Sequence, residues 1–195
     1  MNKLMGFFEL REMNLPSVPW ERYTGVEKFS TQYLWTIRSA VYRGDDLNLP
    51  RLVGKTAEEA KIFADKLLFK IRDRGMVIYY PYFIANKSGT LCIGNDKVII
   101  EAVKDDLWNL VTYSEREVTI IAASSGVQII GNKQFLSEEE LQEIKRYIPE
   151  VKRIFRNDIL EGKQVLLEWS FAVTCDQNRK KIGDEKLLFY EVRTI

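Results

Sequence analysis

Val165-Leu166-Leu167-Glu168-Trp169-Ser170-Phe171-Ala172-Val173-Thr174-Cys175 and, after the polar run 176–185, Leu187-Leu188-Phe189-Tyr190-Glu191-Val192-Arg193 are the stretches that decide the fold. In the first, Val165, Leu167, Trp169, Phe171, Val173 and Cys175 alternate with Leu166, Glu168, Ser170, Ala172 and Thr174. A period of two predicts a half-buried strand with Glu168 off the apolar face. The second stretch predicts its hairpin partner. With Glu168 opposite Glu191, Trp169 meets Tyr190 and Leu167 meets Val192 on the core side, while Glu168, Glu191 and Arg193 share the other face. Two carboxylates and a guanidinium on one face suit a metal–phosphate site. Hard divalent cations take carboxylate oxygens, and cation and arginine together neutralise phosphates. In that reading Arg193 pairs with Glu191 until a phosphate arrives. The spacing also fits a surface Glu/Glu/Arg cluster with no ligand.

Composition narrows the classes. A chain of 195 residues with 46% hydrophobic and 12% aromatic residues is a folded protein with a sizeable core. Lys+Arg 29 against Asp+Glu 28 leaves no global field, so no specific nucleic-acid partner is expected. Cys92 and Cys175 sit singly in apolar strand patterns and read as buried thiols of a reducing compartment. No apolar run approaches the ~20 residues of a membrane span, and residues 1–11 carry no cleavable-signal pattern. A cytoplasmic protein with no membrane partner is expected. The absence of histidine excludes serine–histidine and cysteine–histidine chemistry and His-ligated zinc within this chain. Any catalysis falls to carboxylates, lysine, arginine or a bound metal.

Pro16, Pro19 and Gly25 predict an irregular lead-in around Trp20, and 26–33 could form two helical turns. Residues 34–42 alternate as a strand with Arg38 off its apolar face. Thr56-Ala57-Glu58-Glu59 is a capping box, and Ala60, Phe63, Ala64, Leu67, Leu68 and Ile71 trace one helical stripe towards Gly75. Strands are predicted over 76–80, stopped by Pro81, and over 91–93 and 98–103; a run 82–85 leads to a turn at Asn86-Lys87-Ser88-Gly89-Thr90 and Asn95-Asp96 turns again, as an antiparallel meander of three strands. Residues 104–108 predict a turn or short helix, and 116–123 with 127–130 a hairpin about Ser124-Ser125-Gly126. Ser137-Glu138-Glu139-Glu140 caps a last helix that Pro149 kinks or splits. The sum is α+β with a largely antiparallel sheet and helices packed on one face.

The succession of motifs resembles the nucleotide-binding, ATP-grasp domain of the phosphoenolpyruvate synthase and pyruvate phosphate dikinase family. Ile37-Arg38-Ser39-Ala40 and Gly44-Asp45-Asp46 stand where that family has its arginine strand and acidic loop. Val77-Ile78-Tyr79-Tyr80-Pro81 stands at its hinge, and Ser88-Gly89-Thr90 at its serine-glycine turn. Ile100-Glu101-Ala102-Val103, Val118-Thr119, Leu167-Glu168-Trp169 and Tyr190-Glu191-Val192-Arg193 follow in the family's order. The resemblance runs from Trp35 to Ile195 and implies a single ATP-grasp-like domain over 1–195, with lobes of about 1–103 and 104–195. It implies ATP and magnesium as cofactors, metal held by Glu168 and Glu191, and Arg38 and Arg193 as catalytic groups on the phosphates. The nucleotide contacts it implies are Arg38, Tyr80, Ser88, Gly89, Thr90, Glu101 and Arg193, with the base near 78–82.

The chain departs from the family at three places. Only 37 residues precede Arg38 where the family has a longer lobe bearing a lysine, and Lys3 and Lys28 lie in no comparable context. Asp105, Asp106 and Trp108 replace a glycine-rich loop, and Glu191 replaces a glutamine. Three readings stand: a minimal Mg·ATP-binding phosphotransferase acting on a small acceptor or partner protein, a non-catalytic nucleotide-binding subunit or sensor, and a fold relative without nucleotide function. The first two readings go with a partner polypeptide that supplies what the resemblance implies beyond this chain, the family's phosphohistidine-carrying and pyruvate-binding domains.

Overall fold

The computed structural model describes residues 3–43 and 49–195, with the backbone alone for Lys3 and Leu4. The expected acidic loop Gly44-Asp45-Asp46 and the Lys3 side chain lie outside the described residues.

Strands β1 (Glu21–Tyr23), β2 (Trp35–Val41), β3 (Arg51–Lys55) and β4 (Gly75–Pro81) form one sheet in the order β1-β4-β2-β3, antiparallel throughout. Helix α2 (Ala57–Ile71) covers one face of it, with Ala60, Ala64, Leu67 and Ile71 packed on Ile37 and Val77. The Thr56 hydroxyl accepts from the Glu59 amide at 3.3 Å and the Glu59 carboxylate accepts from the Thr56 amide at 3.0 Å. The expected capping box is therefore present, and it starts the helix where the apolar stripe begins.

Strands β5 (Phe83–Ile93), β6 (Lys97–Lys104), β7 (Val118–Ala123), β8 (Gly126–Gly131), β9 (Val165–Cys175) and β10 (Lys181–Thr194) make the second sheet, in the order β10-β9-β5-β6-β7-β8. Helices α4 (Glu138–Lys145), α5 (Ile148–Ile154) and α6 (Arg156–Leu160) bury Ile144, Val151, Phe155 and Ile159 against Leu167, Trp169, Phe189 and Val192 on one face. Pro149 sits in the first turn of α5 and splits the helical run, as its missing N–H and ring require. Helix α3 (Leu107–Tyr113) lies on the opposite face of this sheet, beside the first sheet. Ala40, Met76 and Ile78 from the first sheet meet Phe83, Ala172 and Leu188 from the second in a shared core. Among the described residues no helix is long and apolar enough to cross a membrane.

Several expectations change. The sheet changes at Tyr82, between β4 and β5, and Val103 and Lys104 are consecutive residues of β6. β4 and β5 accordingly lie in different sheets and are not steps of one meander. Residues 86–90 are the middle of β5 and not a turn: the polar run is a strand flanked on both edges, and a bulge at Asn86 absorbs its irregularity. Residues 26–33 form no helix. The lead-in contains helix α1 (Lys3–Glu12), which packs against β10 and β2. Its apolar residues fall on more than one face, with Phe7 and Leu10 buried and Met5 and Phe8 exposed, so no single stripe announces it. The segment after it then borders the outer edge of β10, where the Phe189 amide donates to the Pro16 carbonyl at 2.8 Å.

In the β9/β10 pair, Glu168 lies opposite Glu191 and Leu167 opposite Val192, as the alternation requires. Trp169, however, lies opposite Phe189, and Tyr190 is the extra residue of a bulge. Trp169 is fully buried and its indole runs across β5 at Gly89, where a Cβ would collide with the ring and with the Glu101 carbonyl. Trp169→Ala should lower the unfolding free energy by about 3–5 kcal/mol through the cavity it opens, and Gly89→Ala should also destabilise; urea denaturation of both variants measures this.

Candidate functional site

The two sheets and α3 enclose a cleft of about 880 Å³, within the range of small-molecule sites. β2 and β4 supply Thr36, Arg38 and Tyr80, while β3 supplies Arg51 and Val53. β5, β9 and β10 supply Ser88, Glu168, Ser170, Tyr190, Glu191 and Arg193, and α3 adds Trp108. Alternation explains Glu168 and Ser170, which point away from the helix-covered core. The bulge explains Tyr190: two residues of β10 face one of β9, so Tyr190 and Glu191 both turn to the cleft.

Glu191 is 2% exposed, and Arg38 reaches it from the other sheet with Nη2 to Oε2 at 3.3 Å. The ion pair expected of Arg193 is thus made by Arg38. Arg193 lies opposite Leu166 on the cleft wall, and its buried Nε has no hydrogen-bond partner among the described residues. Burial opposes the charge of Arg38, but Tyr80, Glu191 and Glu168 outweigh it and hold the guanidinium above its ordinary range. Burial pushes the Tyr80 hydroxyl up, against the pull of the Arg38 charge and hydrogen bond. The Tyr190 hydroxyl is also pushed up, first by burial and then by Tyr80, with its Ser170 hydrogen bond opposing. The Ser88 hydroxyl bridges Ser170 at 2.7 Å and donates to the Asp105 carbonyl at 2.5 Å, tying the start of α3 to β5 and β9. Asp106 caps α3 by accepting from the Trp108 amide at 2.8 Å, and the Trp108 ring carries the Arg51 guanidinium at 4.4 Å across the cleft.

Of the residues singled out from sequence, Arg38, Tyr80, Ser88, Glu168, Glu191 and Arg193 come together here. Gly89, Thr90 and Glu101 do not line the cleft. Gly89 faces the core under Trp169, and Glu101 pairs with Arg116 while accepting from Thr90 at 3.3 Å. Lys28 is exposed and lines no part of the cleft. Arg51, Trp108 and Tyr190 line the cleft without being singled out by the sequence pattern. Arg51 and Trp108 carry no periodic signal, and only a bulge turns Tyr190 inward. Both cysteines are free, with their thiols pushed up by burial.

The donor set suits magnesium. Glu168 and Glu191 are direct cross-strand partners on one face, which sets their Cα atoms about 4.5–5.5 Å apart. Magnesium needs only one or two carboxylates when phosphates supply the rest. Among the described residues no group of three or more acidic, cysteine or histidine side chains forms an all-protein cage. Three arginines, and no lysine, line the described cleft, and their planar forks match phosphate oxygens.

No protein-family model matches the chain, and no curated protein is similar to it in sequence. Solved structures are similar in fold. D-alanyl-alanine synthetase A from Vibrio cholerae matches with a TM-score of 0.54 at 10% identity, over 98% of this chain and 54% of that one. D-alanine–D-alanine ligase from Helicobacter pylori matches with 0.52 at 13%, over 98% and 50%. Macrocyclase MdnC from Microcystis aeruginosa, bound with precursor peptide MdnA, matches with 0.50 at 12%, over 97% and 51%. The chain spans about half the length of each of these structures. The shared fold is ATP-grasp-like, α+β with antiparallel sheets, and none of the three is a phosphoenolpyruvate synthase.

Glu191→Ala leaves the Arg38 guanidinium without its ion partner in a largely buried place. It should cost about 3 kcal/mol of stability, while Glu191→Gln, which keeps an acceptor, should cost less; paired urea denaturation curves check the order.

Proposed function

We propose that the cleft binds magnesium and ATP and that the chain is a minimal ATP-grasp-like protein, passing phosphate to a small acceptor or a partner polypeptide. The observation that carries this is the convergence of Glu168, Glu191, Arg38 and Arg193 on one cleft from two separate sheets. Glu168 and Glu191 hold the metal. Arg38 and Arg193 take the phosphates, and the end of β4 with Tyr80 and Tyr82 lies along the base. Bound magnesium supplies charge neutralisation on the phosphates, which with positioning is most of what phosphoryl transfer requires. Arg38 neutralises Glu191 in this structure; with nucleotide bound, the guanidinium would be the group to face a phosphate and the carboxylate the group to hold the metal. The ligase-like fold suits transfer to an acceptor, and the motif succession favours chemistry of the phosphoenolpyruvate synthase type. The two sheets act as one domain, since neither forms the cleft alone.

A non-catalytic nucleotide sensor is the second reading, favoured by the absence of a lysine from the described cleft lining. An ATP-consumption assay with candidate partners separates it from the first.

Calorimetric titration of ATP, with magnesium and with chelator, tests the binding itself. Glu168→Gln should weaken the magnesium-dependent affinity by about 1–3 kcal/mol without unfolding the chain. Arg193→Ala should weaken ATP more than adenosine. Wild type that takes up no ATP at millimolar concentration, or variants that bind as wild type does, would leave the cluster a structural one.

A further inference from the structure

We infer that Phe7, on the N-terminal helix, is a positioning residue for Arg38. The inference rests on the nucleotide reading above and adds to it an element that no site motif contains. Phe7 is 1% exposed, and its ring lies against the Arg38 guanidinium with Cζ 5.1 Å from the ring centroid. The helix comes this close because Gly6 lies flat on β10, where a Cβ would collide with the Val192 carbonyl oxygen. Trp20 meets the Phe7 ring edge-on at 5.9 Å and fixes its plane.

Arg38 therefore has two kinds of neighbour. Glu191, at 3.3 Å, engages the N–H edge of the group. Phe7 engages the face of the group, through the negative charge of the ring face, and uses none of the donors. This difference gives the contact its role. When Glu191 turns from the guanidinium to a metal, an arginine held by carboxylate alone would lose its orientation. An arginine resting on an aromatic face keeps its place, and its N–H groups are free to donate to phosphate oxygens in exchange. Helix α1 is thus part of the cleft's phosphate end, although Phe7 touches no ligand.

Fluorinated phenylalanines at position 7 weaken the ring face at nearly constant shape, so they separate this role from packing. Binding of Mg·ATP and of adenosine is measured calorimetrically for wild type, the fluorinated series, Phe7→Leu and Phe7→Tyr. Mg·ATP affinity should fall stepwise with fluorination and by about three- to thirty-fold in Phe7→Leu, the range of a cation–π contact. Adenosine affinity should stay constant, and Phe7→Tyr should bind as wild type does. Should Phe7→Leu fail to fold, the fluorinated series carries the test alone, with thermal midpoints as its control. Mg·ATP affinity independent of fluorination, or adenosine falling in step with it, overturns the role of Phe7 while leaving the nucleotide reading intact. A wild type that binds no ATP overturns both.

Discussion

Burying a carboxylate is costly unless a cation or hydrogen-bond donors compensate it, and Glu191 is buried at 2% exposure. Its cation does not come from its own sheet. Arg38 crosses from β2, so the two sheets are held at the separation an ion pair allows, with the shared core of Met76, Ile78, Phe83 and Leu188 alongside. Desolvating two charges costs several kcal/mol, and a pair of this kind is seldom a net source of stability. It is better read as a fixed point. It sets which residues of one sheet face which of the other, and the cleft is the space that remains around it.

How much of this can be read from residues alone depends on whether the information is local. The capping boxes at Thr56 and Ser137, the stripe of α2 and the alternation of β9 are written in neighbouring positions, and each is found where the periodicity places it. Glu168 opposite Glu191 follows from alternation together with the core-side pairing of Leu167 with Val192. The failures have a common cause. A bulge changes the parity of a strand without changing its composition, so Tyr190 was assigned to the core and stands in the cleft. The polar run at 86–90 looks like a turn because nothing nearby reveals that β6 and β9 will lie on either side of it. Gly89 looks like a turn glycine and is a space for the Trp169 ring. Helix α1 carries no single stripe because a helix lying between an edge strand and a second sheet is apolar on more than one face.

Fold and chemistry are also separable here. The ligase structures share the arrangement of strands at identities of 10% and 13%, too low to transfer a substrate. The case for a phosphate site rests on what this cleft holds. Its three arginines face three carboxylates, Asp106, Glu168 and Glu191, so the described lining carries little net charge.

Arg38 and Glu191 lie 153 residues apart in the chain. Every local element, from the capped α2 to the β7/β8 hairpin, can form before these two residues meet, because short loops close at smaller entropic cost than long ones. The pairing that joins the sheets therefore belongs among the late events of folding. A chain with all its strands in place but this contact unmade would have a complete second-sheet core and no cleft. The cleft should accordingly form after most secondary structure has been gained, and it should be the first feature lost when the protein opens.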